Sequence, residues 1–351
     1  MHETFMRLAI KEALKGKGKT FTNPLVGAVI VKDDQVITKG AHLAYGQPHA
    51  EKNALTSCET PEKLLSSTLY VTLEPCHHYG KQPPCTQAIL ESGIKRVVIG
   101  QLDPNPLVAG KGKQYLEEQG LEVITGVLEE EVRRLNRHYN FYHEQQRPFI
   151  TLKQAMTLDG KIALAGQRTP LTGEEALKRV RKERGHYQAI LIGSQTALID
   201  NPTLGTTDED KFPPYRVVLD RKGEVLAHKE LVLFQADSSP VLIFTERDDE
   251  IPLPEHVEVI RNQVLSLSFV VTELTKRNIQ SLYVEGGAII HDAFLASGYW
   301  DELVTYLAPK IIGGNGTASF TGTRLVEQVT ALSDISIEQL GSDIRIAGRR
   351  V

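Results

Sequence analysis

The sequence predicts two successive α/β domains, each with helices packed against its own sheet. Apolar, β-branched runs typical of buried strands alternate with amphipathic helical runs, an order that favours strand and helix layers. A length of 351 residues also exceeds what one hydrophobic core usually supports. The polar stretch at 143–147 interrupts the alternation, and we therefore expect domains at 1–146 and 147–351.

The first half begins with a predicted amphipathic helix over 4–16. Asn23-Pro24 then introduces an apolar run at 26–31, and Asp33-Asp34 turns the chain toward a strand at 36–38. Two such runs joined by a short polar turn indicate a hairpin. Alternation continues with helices at 50–55, 86–92 and 112–119 and strands at 68–73, 96–99 and 121–124. These elements predict a three-layer α/β domain with a mixed sheet.

The second half restarts the alternation after Pro148. The predicted strands lie at 149–155, 188–193, 215–219, 231–234, 240–245, 256–260, 280–284 and 302–308. The predicted helices lie near 173–185, 194–198, 270–277 and 287–297. This order predicts a second α/β domain with a separate sheet.

The most informative motif is His49-Ala50-Glu51 followed by Pro75-Cys76 and Cys85. One imidazole and two thiolates fill three positions of a tetrahedral Zn²⁺ site and leave the fourth for a water whose pKa falls to about 7. Glu51 is then the catalytic proton carrier, outside the metal ligands, as in the zinc nucleobase deaminase signature. The loop at 77–84 between the cysteines is longer than the two-residue spacer of that signature.

The neighbouring sequence supports metal binding by these side chains. Pro48 and the helix-favouring run at 50–55 place His49 and Glu51 at a helix start. Both cysteines are expected near helix starts, where the helix dipole favours thiolate. An isolated His-x-Glu also occurs by chance, and scattered cysteines are often ordinary buried thiols. Cys58 lacks such neighbours and is predicted to be a core residue.

Composition narrows the class of partner. A formal charge of −4 and a pI near 6.3 provide no broad attraction for phosphate backbones, so we expect a small-molecule substrate and no nucleic acid. Three cysteines supply no disulfide framework and indicate a reducing compartment, with cytoplasm as the expected location. The first ten residues lack a secretory profile, and no apolar run is long enough for a membrane span.

Several segments of the first half resemble the amino-terminal domain of the bifunctional deaminase/reductases of riboflavin biosynthesis. They are His49-Ala50-Glu51, Thr72–Cys76, His78–Lys81, Pro83–Cys85 and Asp103–Gly110. The resemblance implies a cytidine-deaminase-like fold, the longer cysteine loop and homo-oligomers. It also implies the substrate, 2,5-diamino-6-ribosylamino-4(3H)-pyrimidinone 5′-phosphate, which loses its 2-amino group as ammonia.

By the same resemblance, five residues line the pyrimidine and ribose-phosphate pocket: Asn23, His42, Lys81, Asp103 and Asn105. The Lys81 ammonium is suited to a phosphate dianion, although loop lysines are commonly only solvated. Asn23 before Pro24, and Asn105 between two prolines, also fit simple turn formation.

The second half resembles the carboxy-terminal reductase domain of the same family, whose fold is like that of dihydrofolate reductase. The matching segments are Thr151–Ala163, Gly193–Pro202, Tyr283–Gly287 and Ala308–Gly314. The resemblance implies NADPH-dependent reduction of the ribosyl group to ribityl by hydride transfer to C1′. The implied substrate-binding residues are Lys153, Arg168, Arg184, Leu204 and Glu285. The implied cofactor-binding residues are Pro170, Thr196, Asp200, Gly287, Ala288, Ile289, Ile290, His291, Asp292 and Ala293.

The polar groups Lys153, Asp200 and Glu285 are expected nearest the reductase site, with Asp200 as a catalytic proton relay. Strand-end capping is the alternative interpretation of these residues. Gly286-Gly287 follows a predicted strand and opens a predicted helix, where free amides bind phosphates well. A double glycine on its own more often marks a turn, and the resemblance is what favours NADPH.

Two segments depart from the family pattern. Arg168-Thr169-Pro170 stands where the family usually has serine and tryptophan, and the acidic run at 205–210 replaces an arginine that contacts substrate phosphate. Either Arg184 or Arg168 then supplies the missing positive charge, or the reductase is weak or altered. Two other functions therefore stay open: a nucleoside or RNA deaminase with an unrelated second domain, and a deaminase whose residues 148–351 bind a ligand or assemble without turnover.

Overall fold

A computed structural model describes residues 1–78, 83–207, 212–235 and 239–351. The chain forms two compact units, Met1–Gln146 and Arg147–Val351. Lys81, and residues 208–210 of the acidic segment, lie outside the described residues.

The first unit is built on a mixed sheet with the order β2-β1-β3-β4-β5. The strands are β1 Gly27–Lys32, β2 Gln35–Ala41, β3 Thr68–Leu73, β4 Arg96–Gln101 and β5 Glu122–Thr125. Strand β1 pairs antiparallel with both β2 and β3, whereas β3, β4 and β5 run parallel. The hairpin predicted from the first two strands is confirmed.

Helices cover both faces of this sheet. They are α1 His2–Ala13, α2 Ala50–Thr56, α3 Cys85–Glu91, α4 Lys111–Glu118, α5 Glu129–Leu135 and α6 Arg137–Gln145. Ala28 and Ile30 of β1 pack in a core with residues of α2, α3 and α4. Val29 and Val31 point to the other face, where α1 and α5 pack. This period-two alternation produces the three-layer arrangement that the sequence predicted.

The second unit contains a sheet with the order β11-β10-β9-β8-β12-β6-β13-β16-β15. Its strands are β6 Phe149–Thr157, β8 Ala189–Gly193, β9 Tyr215–Leu219, β10 Val241–Thr245, β11 Val257–Arg261, β12 Ser281–Val284, β13 Glu302–Ala308, β15 Leu332–Leu340 and β16 Asp343–Arg350. A small separate sheet joins β7 Lys161–Leu164 to β14 Gly316–Ala318. Strands β11 through β13 in that spatial order are parallel, and β16 and β15 are antiparallel.

The helices of this unit are α7 Glu174–Arg184, α8 Ser194–Asp200, α9 Leu267–Lys276 and α10 Ala288–Ser297. One core contains Leu152 and Leu282 with residues of α9 and α10. On the opposite face, α7 packs against β13 and β16. Because parallel strands end at one edge of a sheet, the residues after β8 and β12 and near the end of β6 are brought to the same edge.

One predicted element is wrong and several were not predicted. Residues 231–234 do not form a strand; Val232–Phe234 is a turn of 3₁₀ helix whose Leu233 and Phe234 are buried beside the sheet. A short apolar run has no periodicity that separates a buried strand from a buried helical turn. Helices α5 and α6 and strands β7, β14, β15 and β16 were not predicted. Polar residues dominate α5 and α6, whereas β7 and β14 are only four and three residues long.

Across the described part of the chain, none of the helices has both the length and the apolar character needed to cross a membrane.

Candidate functional site

Three elements of the first unit bring His49, Cys76 and Cys85 together. His49 is the N-cap residue of α2, Cys76 follows the end of β3, and Cys85 is the first residue of α3. The Nδ1 atom of His49 lies 3.5 Å from Cys76 Sγ and 3.3 Å from Cys85 Sγ. All three donor atoms lie within 4.8 Å of one another.

The donor set fits zinc. A tetrahedral zinc ion keeps neighbouring sulfur and nitrogen ligands about 3.5 Å apart, which is the spacing found here. The backbone N–H of Cys85 also donates to Cys76 Sγ at 3.5 Å, so the start of α3 faces both sulfurs. Hydrogen bonding with Cys85 and His49 lowers the pKa of Cys76 against the effect of burial, which favours the thiolate that a metal requires.

Glu51 lies in the first turn of α2, beside these three residues. Its side chain is 3 % exposed, and burial raises the pKa of its carboxyl to about 7. The Glu51 carboxyl hydrogen-bonds with the Cys85 side chain. A carboxyl so placed can both accept and return a proton near neutral pH.

His42 and Asn23 are bonded to each other and lie next to the candidate metal centre. The His42 and His49 rings meet edge to face, with centroids 5.6 Å apart. His42 Nδ1 lies 3.1 Å from the Pro48 carbonyl, and Asn23 Nδ2 lies 3.1 Å from His42 Nε2. If Nδ1 donates to the carbonyl, Nε2 accepts from the amide, which is the pattern of a neutral ring. Burial lowers the pKa of His42 and so favours the same state.

The predicted pocket residues Asp103 and Asn105 lie on a loop that is bonded to the metal-binding segment. Glu74, two residues before Cys76, accepts hydrogen bonds from the backbone N–H groups of Asp103 at 3.2 Å, Gly110 at 2.9 Å and Lys113 at 3.0 Å. A Cβ atom on Gly112 would meet the Pro75 carbonyl oxygen at 2.0 Å, so the approach requires glycine. The buried Glu74 carboxylate thus holds the two segments in one arrangement.

The Asp103 carboxylate is itself held in place. Its Oδ1 accepts from the Tyr139 hydroxyl at 2.9 Å and from the Asn105 N–H at 2.9 Å. Burial raises the pKa of Asp103 to about 6. Sequence reasoning missed the roles of Glu74 and Tyr139: Glu74 is part of the Thr72–Cys76 motif but carries no metal-binding signal, and Tyr139 lies on an unpredicted helix.

In the second unit, Lys153, Arg184 and Glu285 form a buried charged cluster. Lys153 lies on β6, Arg184 ends α7, and Glu285 follows β12. Lys153 Nζ donates to Glu285 Oε2 at 3.1 Å, and Arg184 donates through Nε at 2.5 Å and Nη2 at 3.1 Å. Burial alone would raise the pKa of Glu285, but the two cations outweigh it and hold the pKa at about 2.

Three more predicted residues of the reductase site are Asp200, predicted as a proton relay and cofactor contact, and Arg168 and Leu204, predicted to bind substrate. Asp200 ends α8, and burial raises its pKa against the positive charge of Arg168. Among the described residues, no hydrogen bond joins Asp200 to Lys153 or Glu285. Arg168 is exposed, whereas Leu204 is 2 % exposed as a whole residue and packs in the core, so it offers little surface to a ligand.

The start of α10 provides an open turn suited to phosphates. Gly287 is its N-cap, with φ −73° and ψ −179°, and a Cβ atom there would have no neighbour within 4 Å. The first amides of a helix have no acceptors within the helix, and they lie at the positive end of its dipole. Gly286 instead needs to lack a side chain, because its Cβ atom would lie 2.5 Å from Ile290 Cβ.

The residues predicted to bind the cofactor differ in solvent exposure. Ala288 is buried, Ile289 and Ala293 are exposed and Ile290 is half-buried; on the other side of the sheet edge, Pro170 is exposed and Thr196 is half-buried. His291 is 1 % exposed, with Nε2 3.3 Å from the Val284 carbonyl, and burial lowers its pKa to about 4.

Asp292 is the exception among them, because its carboxylate is occupied by its own chain. It accepts from Thr321 N–H and Oγ1, from Gly322 N–H and from Arg324. These hydrogen bonds hold the loop around residue 321 against α10. No feature of the sequence indicated that Asp292 would bond to this loop.

Together, the folds and the two clusters define a zinc-dependent pyrimidine deaminase joined in one chain to a nicotinamide-dependent reductase. Residues 1–101 match the family described as the cytidine and deoxycytidylate deaminase zinc-binding region. Residues 148–346 match the RibD C-terminal domain. Both cofactors of the sequence-based prediction, Zn²⁺ and NADPH, agree with these two matches.

Similar proteins match along nearly the whole chain. The riboflavin biosynthesis protein RibD of Aquifex aeolicus is 40% identical over 99% of this chain and 98% of its own length. The protein of the same name from Escherichia coli is 34% identical over 97% of each chain. A crystal structure of a diaminohydroxyphosphoribosylaminopyrimidine deaminase/5-amino-6-(5-phosphoribosylamino)uracil reductase from Thermotoga maritima is 40% identical, covers 100% of this chain and 99% of its own, and has a TM-score of 0.90.

The chain belongs to the RibD family of riboflavin biosynthesis. It is a hydrolase and an oxidoreductase, with a deaminase and a reductase in one polypeptide. The predicted cytidine-deaminase-like and dihydrofolate-reductase-like folds are confirmed. A second domain without reductase turnover is not favoured, because residues 148–346 match the reductase domain of the family.

Proposed function

We propose that unit Met1–Gln146 deaminates the pyrimidine substrate with zinc held by His49, Cys76 and Cys85, and that unit Arg147–Val351 reduces the product. The observation that carries the proposal is the convergence of one imidazole nitrogen and two sulfurs within 4.8 Å, beside the buried carboxyl of Glu51.

For the first reaction, zinc held by His49, Cys76 and Cys85 would lower the pKa of a bound water, which would serve as the nucleophile for the ring carbon that carries the amino group. Glu51 takes a proton from that water and delivers protons to the ring nitrogen and to the departing amine. Water adds and ammonia leaves, so a C–O bond replaces the C–N bond without any redox change. Burial keeps Glu51 away from bulk solvent while the transfers occur.

The remaining deaminase residues are proposed to bind and orient the substrate. Neutral His42, held by Asn23 and by the Pro48 carbonyl, presents a fixed ring next to His49. Asp103 and Asn105 lie on the loop held by Glu74, which brings their polar atoms to the ring and ribose. Lys81 is proposed to contact the phosphate.

In the second reaction, NADPH supplies the hydride that C1′ of the ribosylamino group receives once the sugar has opened to the imine. Lys153, Arg184 and Glu285 are proposed to bind the hydroxyls and phosphate of the substrate. Their mutual hydrogen bonds support this role, because a preorganised cluster loses little freedom when a ligand binds. Asp200, whose pKa is raised by burial, is proposed to relay the proton that completes the reduction.

NADPH is proposed to lie along the start of α10 and along α8. The open space at Gly287 and the free first amides of α10 fit its phosphates. Ala288, Ile289, Ile290, His291 and Ala293 then line the cofactor, with Pro170 and Thr196 on the other side. Asp292 supports that surface through the loop it anchors.

The test is a two-signal assay on the purified chain, with the diaminopyrimidine phosphate as substrate and both ammonia release and NADPH oxidation followed. We expect both signals. Glu51→Gln should retain about one zinc per chain and lose ammonia release, while its reductase still oxidises NADPH when supplied with 5-amino-6-(5-phosphoribosylamino)uracil. Normal deamination by Glu51→Gln would overturn its role, and ammonia release without NADPH oxidation would overturn the role of the second unit.

The expected cytoplasmic location and homo-oligomer belong to the same proposal. In the described part of the chain Cys58, Cys76 and Cys85 form no disulfide bond, which suits a reducing compartment. Light scattering on the purified protein tests assembly, and cell fractionation tests the location.

A further inference from the structure

Glu183 is a buried carboxylate next in sequence to the substrate-binding Arg184. It lies in the last turn of α7, and the residue is 6 % exposed. Its Oε2 accepts from the hydroxyls of Tyr283 at 2.8 Å and Tyr306 at 2.9 Å. Its Oε1 accepts from Arg345 Nε at 2.7 Å and Arg179 Nε at 3.2 Å.

Three of these donors tie the end of α7 to three strands, and the fourth, Arg179, lies on α7 itself. Tyr283 belongs to β12, Tyr306 to β13 and Arg345 to β16. Two donors on each oxygen use most of the acceptor capacity of a carboxylate. A carboxylate bonded in four directions has one orientation, so the backbone of α7 at this turn is also fixed.

The network reaches both cations of the reductase cluster. Arg184 follows Glu183 directly, and its guanidinium donates to Glu285 and, at 3.2 Å, to the Gly205 carbonyl. Lys153 Nζ lies 5.8 Å from the centre of the Tyr306 ring, whose hydroxyl is bonded to Glu183. One side of the ring therefore meets the Lys153 ammonium, and the hydroxyl holds the ring in place.

Packing alone does not require a charge at this position. Buried ion pairs are often no more stabilising than apolar residues of similar volume, because desolvation offsets their attraction. An apolar side chain at position 183 would pack against the same strands, but the direction of the Arg184 side chain would then depend only on the bonds that Arg184 itself makes. The Glu183 carboxylate additionally fixes the orientation of the end of α7.

We propose that Glu183 is a positioning residue of the reductase: it sets the direction of Arg184 and the plane of the Tyr306 ring under Lys153, and so governs affinity for the phosphorylated pyrimidine. The inference rests on the proposed substrate-binding roles of Arg184 and Lys153. It predicts that changes at Glu183 act on KM for the pyrimidine more than on kcat or on KM for NADPH.

The experiment compares Glu183→Leu with Glu183→Gln in the full chain, using 5-amino-6-(5-phosphoribosylamino)uracil and NADPH. In Glu183→Gln the amide oxygen can accept from both arginines while the NH₂ group donates to the two hydroxyls, so this variant retains the bonding pattern without the charge. Glu183→Leu removes every bond. We expect Glu183→Leu to raise KM for the pyrimidine about tenfold or more, since small displacements of binding groups have large kinetic effects. Glu183→Gln should recover most of that loss.

Three controls separate positioning from a general loss of structure. Glu174→Leu changes an exposed carboxylate of the same helix, which pairs with Lys178, and should leave KM unchanged. Ammonia release by the first unit reports on the rest of the chain. The fluorescence of Trp300, which is 2 % exposed in the core of the second unit, reports on its folding.

The double variant Glu183→Leu/Arg184→Ala decides whether the two residues act together. If Glu183 acts partly through Arg184, Glu183→Leu should raise KM by a smaller factor in the Arg184→Ala background than in the parent chain, because only the route through Tyr306 and Lys153 remains. Additive effects, an unchanged KM in Glu183→Leu, or an equal loss in Glu183→Gln would overturn the proposal. An unchanged KM in Arg184→Ala would instead overturn the proposed substrate-binding role.

If Glu183→Leu does not fold, Tyr283→Phe/Tyr306→Phe replaces it. That pair removes only the two bonds to Oε2 and conserves both rings. The same rise in KM is expected, and its absence in a folded double variant would contradict the proposal.

Discussion

Arg184 and Glu285 face each other as a bidentate ion pair, with Nε–Oε1 at 2.5 Å and Nη2–Oε2 at 3.1 Å. Glu285 Oε2 also accepts from Lys153. The three side chains are 8 to 15 % exposed, so each charge depends on the others for compensation. A single carboxylate therefore pairs with two largely buried cations and offsets half of their charge.

Glu285→Gln should consequently destabilise the second unit. It leaves Lys153 and Arg184 buried without their counter-ion, which costs about 3 kcal/mol of unfolding free energy. Urea unfolding followed by Trp300 fluorescence measures it. Glu174→Gln, at an exposed pair with Lys178, should change the unfolding free energy by about 0.5 kcal/mol or less. Equal stability of Glu285→Gln and the parent chain would contradict the predicted dependence.

His291 predicts a pH dependence of stability in the same unit. Burial lowers its pKa from 6.5 to about 4, so the unfolded chain binds a proton at a higher pH than the folded chain. Stability from this group is complete above about pH 6.5 and is lost as pH falls toward 4, by about 3 kcal/mol in total.

The measurement is the unfolding free energy from Trp300 fluorescence at pH values between 7.5 and 4. In His291→Gln the slope over this interval should fall by about one proton. His228→Gln, at an exposed histidine beside Glu230, is the matched control and should keep the parent slope. The same slope in His291→Gln and the parent chain would show that another group titrates.

The metal centre predicts different results for two buried cysteines. Cys85→Ala removes one of three donors and should lower zinc from about one per chain to about a tenth or less. Cys58→Ala should keep the metal, because the Cys58 thiol donates to the Thr60 carbonyl at 3.3 Å and is not among the three donors. Elemental analysis after dialysis measures both, with reductase activity as the folding control. Full zinc in Cys85→Ala would exclude this donor set.

Replacement by alanine is expected to have different effects at the two adjacent glycines before α10: on cofactor binding at Gly287 and on stability at Gly286. Gly287→Ala places a methyl group in open space, on a backbone that alanine adopts, and should raise KM for NADPH about tenfold by blocking the phosphates while stability is kept. Gly286→Ala places a methyl group 2.5 Å from Ile290 Cβ and should destabilise the unit by about 1 to 3 kcal/mol. Cofactor titration and urea unfolding separate the two. An unchanged KM in Gly287→Ala would place the phosphates elsewhere.

Most of the fold was predictable because strands and helices carry their own periodicity. The three proposed metal ligands were predictable for a similar reason: Pro48 before His49, and the proline pair before Cys85, mark helix starts that direct donors to one point. Local signals of this kind need only a few neighbouring residues.

Partners distant in sequence were not predictable. Glu183 bonds with residues 100, 123 and 162 positions away, and nothing near it in sequence identifies them. Helices α5 and α6 were missed because they bury few residues, so their polar sequences show little of an apolar face. The β15–β16 hairpin does carry alternating apolar residues, at Ile335, Ile337, Ile344 and Ile346, and the prediction ended before it. The 3₁₀ turn at Val232–Phe234 was misassigned because every residue of the run is apolar. Such a run shows no alternation of apolar and polar residues that could distinguish a strand from a helical turn.

Glu74 gives a final prediction that separates substrate binding from metal binding. Its two carboxylate oxygens accept backbone N–H groups of Asp103 and Gly110 in the loop that carries Asp103, and of Lys113 in the first turn of α4, which follows that loop. Glu74→Gln replaces one acceptor oxygen with an NH₂ donor that faces an N–H donor, so the loop should lose its fixed position. KM for the diaminopyrimidine should rise about tenfold while zinc content and reductase activity stay at parent values. Glu117→Gln, whose carboxylate is 45% exposed and 3.8 Å from Lys113 Nζ, is the control and should behave like the parent. Loss of zinc in Glu74→Gln would mean that the carboxylate supports the metal-binding segment itself, and an unchanged KM would mean that the loop keeps its position without it.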